Sequence, residues 1–420
     1  MSVGEVRQER AQGPIERGLA ERDDRRVGEQ RPPRLRPGRS VGEGRRWHRA
    51  ELERQRRYRQ LFFCTVHLAR AVASHRDAHL SGSPPPAANG SGRSASRRRS
   101  LLASLGRKPM SQGSDDPRLT VCLSFDFDAM SVWINTVKSN NPTEIARGEY
   151  GAYAIPRILK MLADAGLRAT FFIPGHTALA YPDLVRRIDA GGHEIGHHGW
   201  VHENPIDLDP ETERAVFEKG LRALDQVAGV RPRGWRSPGT SFSVHTHEVL
   251  LEYGMVYDAS APASDYEPYY LRAGDRWSET EPFVFGEPID IVEIPFSWML
   301  DDFPHFEFTP GWSSEQSAPS TVREIWQADF DYAYENHPGG VFTITMHPQV
   351  IGRGYRLKML AELVAHMKDK PGVAFASIGD YATRWKAANP LAEWVANNPI
   401  QSGRAAITAL EPRAVGGAGR

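Results

Sequence analysis

From residue 119 onward, short apolar runs alternate with stretches in which apolar residues return every three or four positions. The runs read as buried strands: Leu119–Phe125, Ala169–Ile173, His193–Ile195, Gly234–Trp235, Met255–Tyr257, Ile289–Pro295, Gly340–Met346 and Val373–Phe375. The periodic stretches read as helices. Gly151–Ala165 places Ile155, Ile158, Leu159 and Leu162 on one face and stops at Gly166. Pro210–Ala228 follows a capping Asp209. Further helices are expected over 182–188, 245–253, 320–335, 355–367 and from Gly379 onward. Alternation of this kind predicts an α/β fold with a parallel sheet and helices outside it. About seven parallel strands over this length suit a single distorted (β/α)-barrel. Residues 259–288, rich in Pro and aromatics, read as a long pocket-shaping loop. Residues 391–420 turn small and polar and read as a flexible tail.

Charge divides the chain. The total is zero, yet residues 1–109 carry 25 Lys+Arg against 11 Asp+Glu, and every basic residue there except Lys108 is Arg. With few aromatics, Pro84-Pro85-Pro86 and Arg97-Arg98-Arg99, this leader cannot bury a core, so disorder is expected. One reading makes it a basic arm for nucleic acid, and the chain a binding protein instead of an enzyme. The other, favoured by the Arg bias, is a reading frame running upstream of a start at Met110. Leu61–Ala73 is the leader's one apolar run; His67 and Arg70 interrupt it, and it is too short to span a membrane. The body, 110–390, therefore reads as a soluble cytoplasmic domain with no membrane partner. Two cysteines, Cys64 and Cys122, exclude a disulfide framework and a cysteine-rich zinc site.

The residues that carry chemistry stand where strands end. His198 and His202 are four apart; on a helical turn both imidazoles face one way. They form half a site for a divalent cation, which would also want a carboxylate and an open position. The same spacing occurs on surface helices that bind nothing. Asp126 and Asp128 close the first strand, and on an extended chain positions i and i+2 point the same way. Arg236, Asp258 and His347 follow later strands. Loops after the strands of a parallel barrel meet on one face, so these residues are expected to converge there. Each alone could equally be a cap, a surface ion pair or a turn residue. Trp200, Tyr266, Trp298, Phe303 and Phe306 line a pocket or belong to ordinary core.

Ser124-Phe125-Asp126-Phe127-Asp128, His198-Gly199-Trp200-Val201-His202, Arg236-Ser237-Pro238-Gly239 and Thr345-Met346-His347 follow one another in a known order. Residues 119–385 resemble the NodB-homology domain, the polysaccharide deacetylases of carbohydrate esterase family 4. The resemblance implies that Asp128, His198 and His202 hold one divalent metal, most often zinc. It implies that Asp126 is the general base, that Arg236 orients it, and that His347 is the general acid on the leaving nitrogen. Two departures resemble a branch with allantoinase-like proteins, cyclic-imide hydrolases and peptidoglycan-deacetylase-like proteins. Phe127 separates the two aspartates, and Gly239 stands where the third motif usually ends in Tyr. Gly239, Trp200 and Asp258 are the remaining candidates for substrate or oxyanion contacts. The expected reaction is hydrolysis of a non-peptide amide bond. Its substrate is a small cyclic imide or ureide, or else an N-acetyl sugar of chitooligosaccharide or peptidoglycan. The lack of a secretory apolar segment weighs against a cell-wall substrate. The branch also implies a homo-oligomer, such as a tetramer.

Overall fold

The computed structural model describes residues 116–309 and 316–404. The Arg-rich leader and residues 405–420 lie outside the described residues, as do the expectations placed on them. The strands are β1 Leu119–Asp126, β2 Thr170–Ile173, β3 Glu194–His197, β4 Gly234–Trp235, β5 Tyr257–Asp258, β6 Tyr269–Ala273, β7 Glu287–Glu293, β8 Gly340–Met346 and β9 Val373–Phe375. They form one sheet in the order β6-β7-β5-β4-β3-β2-β1-β8. Every pairing is parallel except β6 with β7. β8 holds one edge of β1 from Leu119 to Phe125. β9 pairs with Leu119–Val121, and β2 takes over at Ser124.

β1 is buried along its whole length, as a central strand covered on both faces must be. Its alternate residues Val121, Leu123 and Phe125 join one apolar cluster, with Ile155, Ile158 and Leu162 of the helix Pro142–Ala165. Cys122 enters a second cluster with Phe172, Trp235 and Tyr257. That period of two fixes the sides on which Asp126 and Asp128 emerge.

Three expectations change. The helix expected from Gly151 begins at Pro142, capped by the Asn141 side chain on Thr143 N at 3.1 Å. Its first turns read as polar because they cover the segment after β1 instead of the core. A Cβ at Gly148 would meet Ala129 O at 2.4 Å, so this close approach requires glycine. The stretch 259–288 is not all loop: Tyr269–Ala273 pairs antiparallel with β7, and Arg276 and Val284 close a hairpin beyond it. The tail does not begin at 391, since Leu391–Asn397 is a helix with Trp394 buried edge-on to Tyr270. Among the described residues, no helix is long and apolar enough to cross a membrane.

Candidate active site

Phe127 donates its N–H to Phe172 O at 2.8 Å and buries its ring, leaving Asp126 and Asp128 at the carboxyl end of β1. Ligands of open parallel sheets bind at that end. Asp128 Oδ1 lies 3.3 Å from His198 Nε2 and 4.0 Å from His202 Nε2; its Oδ2 lies 3.8 Å from His347 Nε2. The ligand atoms of Asp128, His198 and His202 all fall within 4.8 Å of one another.

The histidines are not brought together by a helix, which corrects the expectation drawn from their spacing. Residues 199–201 form a turn after β3. Gly199 has φ 73° and His202 itself has φ 62°. A non-glycine residue there carries strain that its surroundings must hold. Asn135 Nδ2 and Thr136 Oγ1 each donate to His202 O at 3.1 Å, and Glu203 accepts the N–H of Trp200 and of Val201 at 2.9 Å. Asn135 and Thr136 lie in a π-helical turn, Val132–Thr136, a form found often at functional sites.

The same contacts fix the ring protons. His198 Nδ1 lies 2.7 Å from Arg236 O; a carbonyl only accepts, so Nδ1 carries the proton and Nε2 is free to bind. The single Thr136 hydroxyl proton goes to His202 O, so this hydroxyl accepts from His202 Nδ1–H at 2.6 Å. Both Nε2 atoms then face Asp128. Both Asp128 oxygens and His198 Nε2 are buried with no hydrogen-bond partner. Acceptors facing one another in a dry site need a proton or a cation between them. Two imidazoles and a carboxylate are a donor set that fits a divalent ion such as zinc. Burial would raise the Asp128 carboxyl, but His202, His198 and His347 hold it down at about 2. Burial also holds His202 down at about 4, against the pull of Asp128. His197, the neighbour of His198, is core: its ring stacks on Phe217, its Nε2 meets Phe217 O at 2.8 Å, and burial holds it at about 3.

Asp126 and His347 flank this cluster. Arg236 Nη1 donates to Asp126 Oδ1 and to Ser124 Oγ at 2.9 Å, and its Nε donates to Ala259 O at 2.9 Å. Arg236 and Asp126 are both buried. Removing one partner of such a pair leaves an uncompensated charge, so Arg236→Ala is expected to cost about 3–5 kcal/mol of stability. Denaturant unfolding measures this, and elemental analysis should find the metal retained. His347 gives its backbone N–H to both oxygens of Asp302 at 3.0 Å, and its Nδ1 lies 2.7 Å from Asp302 Oδ1. Asp301 Oδ1 is 3.7 Å from the same nitrogen. Burial lowers His347, but Asp301 and Asp302 outweigh it and raise the imidazolium well above its usual range. Burial pushes Asp301 itself up to about 7. Sequence reasoning missed Asp301 and Asp302. The available signal was two adjacent carboxylates inside an apolar stretch, Trp298–Phe306.

The other candidates divide. Gly239 is exposed at φ 62°, and a Cβ there would meet only Asn204 Oδ1 at 3.9 Å, so its backbone stands at an open position. Trp200 braces the histidine turn, edge-on to His176 with Lys219 Nζ 3.8 Å from its ring centre. Asp258 is fully buried and bonded to Ser260, which leaves no side open to a substrate. Of the five aromatics, Phe303 sits edge-on to His347 with ring centres 5.2 Å apart. Phe306 is core beneath Arg356, and Trp298 is half exposed beside Phe296. Tyr266 belongs to the opposite end of the sheet, where its carbonyl accepts Val341 N at the start of β8.

A curled, mostly parallel sheet with an Asp–His cluster at the carboxyl ends of its strands defines a barrel-type α/β protein whose candidate site lies where such folds carry their active sites. Residues 148–257 match the polysaccharide deacetylase family model. The chain is 33% identical over 288 residues to the peptidoglycan deacetylase of Helicobacter pylori, an alignment covering 65% of this chain and 98% of that protein. It is 32% identical to a Mycobacterium smegmatis protein described as a polysaccharide deacetylase, with TM-score 0.59 and coverage of 66% and 93%. The fold is shared with an allantoinase at 21% identity, TM-score 0.56, covering 70% of this chain and 99% of that one. This chain belongs to the polysaccharide deacetylase family and is a hydrolase of that family.

Proposed function

We propose that the protein is a metal-dependent hydrolase of a non-peptide amide bond. The observation that supports it best is the Asp128–His198–His202 cluster, flanked by the Asp126 carboxylate bonded to Arg236 and the His347 ring bonded to Asp302. Asp128, His198 and His202 hold the divalent ion, zinc in this reading. When bound, it supplies Lewis-acid polarisation of the scissile carbonyl and makes water a stronger acid. Asp126, oriented by Arg236, takes the proton of the water whose oxygen forms the new bond to carbon. His347 gives the proton on Nε2 to the nitrogen as the carbon–nitrogen bond breaks, while Asp302 holds the proton on Nδ1. In this reading the donor to the developing oxyanion is the backbone N–H of Gly239, at an exposed position after β4.

The substrate in this reading is a small cyclic imide or ureide. Asp126, Asp128, His198, His202, Arg236 and His347 are each at most 7% exposed, which suits a compact head group better than a polymer laid along a groove. The whole-length relative named a peptidoglycan deacetylase favours a second reading, an N-acetyl sugar. Assay of the zinc-loaded chain on succinimide, allantoin, N-acetylglucosamine oligomers and glycol-chitin separates them. Turnover of the imide or ureide is expected. Turnover of the sugars alone would establish the second reading, and turnover of none would overturn the reaction class.

A further inference from the structure

Asp258 and Glu293 take no part in the chemistry above. They sit opposite one another on β5 and β7, both fully buried. Asp258 Oδ1 accepts Ser260 Oγ–H at 2.9 Å and its Oδ2 accepts Ser260 N–H at 3.1 Å. Glu293 Oε1 accepts the N–H of Ser260 at 2.9 Å and of Ala261 at 2.8 Å. Glu293 Oε2 is buried, receives no donor, and is the atom left to face Asp258. Two carboxylates in one dry site cannot both ionise. Burial, reinforced by the Asp258 charge, raises Glu293 well above the usual carboxylate range, and burial raises Asp258 as well. One proton between the two carboxyls answers this, and Glu293 Oε2, the oxygen that receives no donor, is the position open to it. Arg236, immediately after β4, and Tyr269 of β6 also face the pair.

The segment this pair holds, 259–261, in turn holds the candidate active site. Ala259 O accepts Arg236 Nε, and Ser260 Oγ accepts Ser237 N–H at 2.8 Å. We propose that Asp258 and Glu293 share one proton and form a positioning device that fixes Arg236, and through it Asp126. This rests on the roles given to Arg236 and Asp126 above. Loss of the shared proton places a second negative charge beside the Arg236 guanidinium and draws it from Asp126. For a carboxyl raised in the folded state, stability is present at low pH and is lost as pH rises through the folded value.

Glu293→Gln keeps the bonds to Ser260 and Ala261 and donates to Asp258 without needing a proton. Thermal unfolding of the full chain, wild type against E293Q, is read from below neutral to alkaline pH. The midpoint difference should grow in favour of E293Q as pH rises; parallel curves would overturn the shared proton. In turnover, Glu293→Ala should lower kcat by about tenfold or more with KM and bound metal unchanged, and E293Q should restore most of it. Full kcat in E293A, or no rescue by E293Q, would overturn the positioning role. If E293A does not fold, the alkaline limb of kcat decides: it moves upward in E293Q, and an unmoved limb refutes the proposal. If the wild type hydrolyses no amide, the functional reading fails, while the unfolding curves still test the pair.

Discussion

Asp128→Ala is expected to lose both metal and activity. Asp128 Oδ1 approaches both candidate histidines, and neither of its oxygens has a hydrogen-bond partner. Its removal leaves two imidazoles, and a divalent ion held by two neutral ligands in a dry site is poorly neutralised. Loss of an outer-shell partner alone weakens metal binding by about 10–100-fold, so loss of the carboxylate should exceed that. Elemental analysis after dialysis, beside the turnover rate, measures both effects. Metal retained at full stoichiometry would remove Asp128 from the ligand set.

Asp126→Asn is expected to keep the metal and lose about 10²-fold or more in rate, the low end for a positioned general base. Asp126 Oδ2 is 3.9 Å from His198 Nε2, farther than Asp128, and its Oδ1 is engaged by Arg236. The amide preserves shape and still accepts from Arg236, so folding should survive. The two substitutions are read together. If D126N loses metal while D128A keeps it, the roles are exchanged and Phe127 has shifted the register of the motif. If neither changes metal or rate, the site is wrongly placed.

The strand and helix order was legible because each element in the core announces itself by period. β1 and β8 are β-prone, largely apolar runs buried throughout, and Pro210–Ala228 carries its cap and its stop in sequence. β6 was not legible, because Pro262, Pro268 and a run of aromatics look the same in a loop and in an edge strand. The start of the helix at Pro142 was hidden for a related reason: it packs on a turn near the candidate site, so its polar face carries no core periodicity.

By itself, the sequence determined the alternation of the sheet and helices, and which residues stand at strand ends: Asp126, Asp128, His198, Arg236 and His347. Those follow from local rules of period two, of 3.6, and of turn residues. The tertiary structure alone decided that a left-handed His202, held by Asn135 and Thr136, turns the second imidazole toward the first. It alone brought Asp302 to His347 across a sequence separation of 45, and turned Asp258 away from solvent toward Glu293. Side-chain partners that meet across such distances are selected by the packing of whole strands. No local pattern encodes which carboxylate a buried ring nitrogen will find.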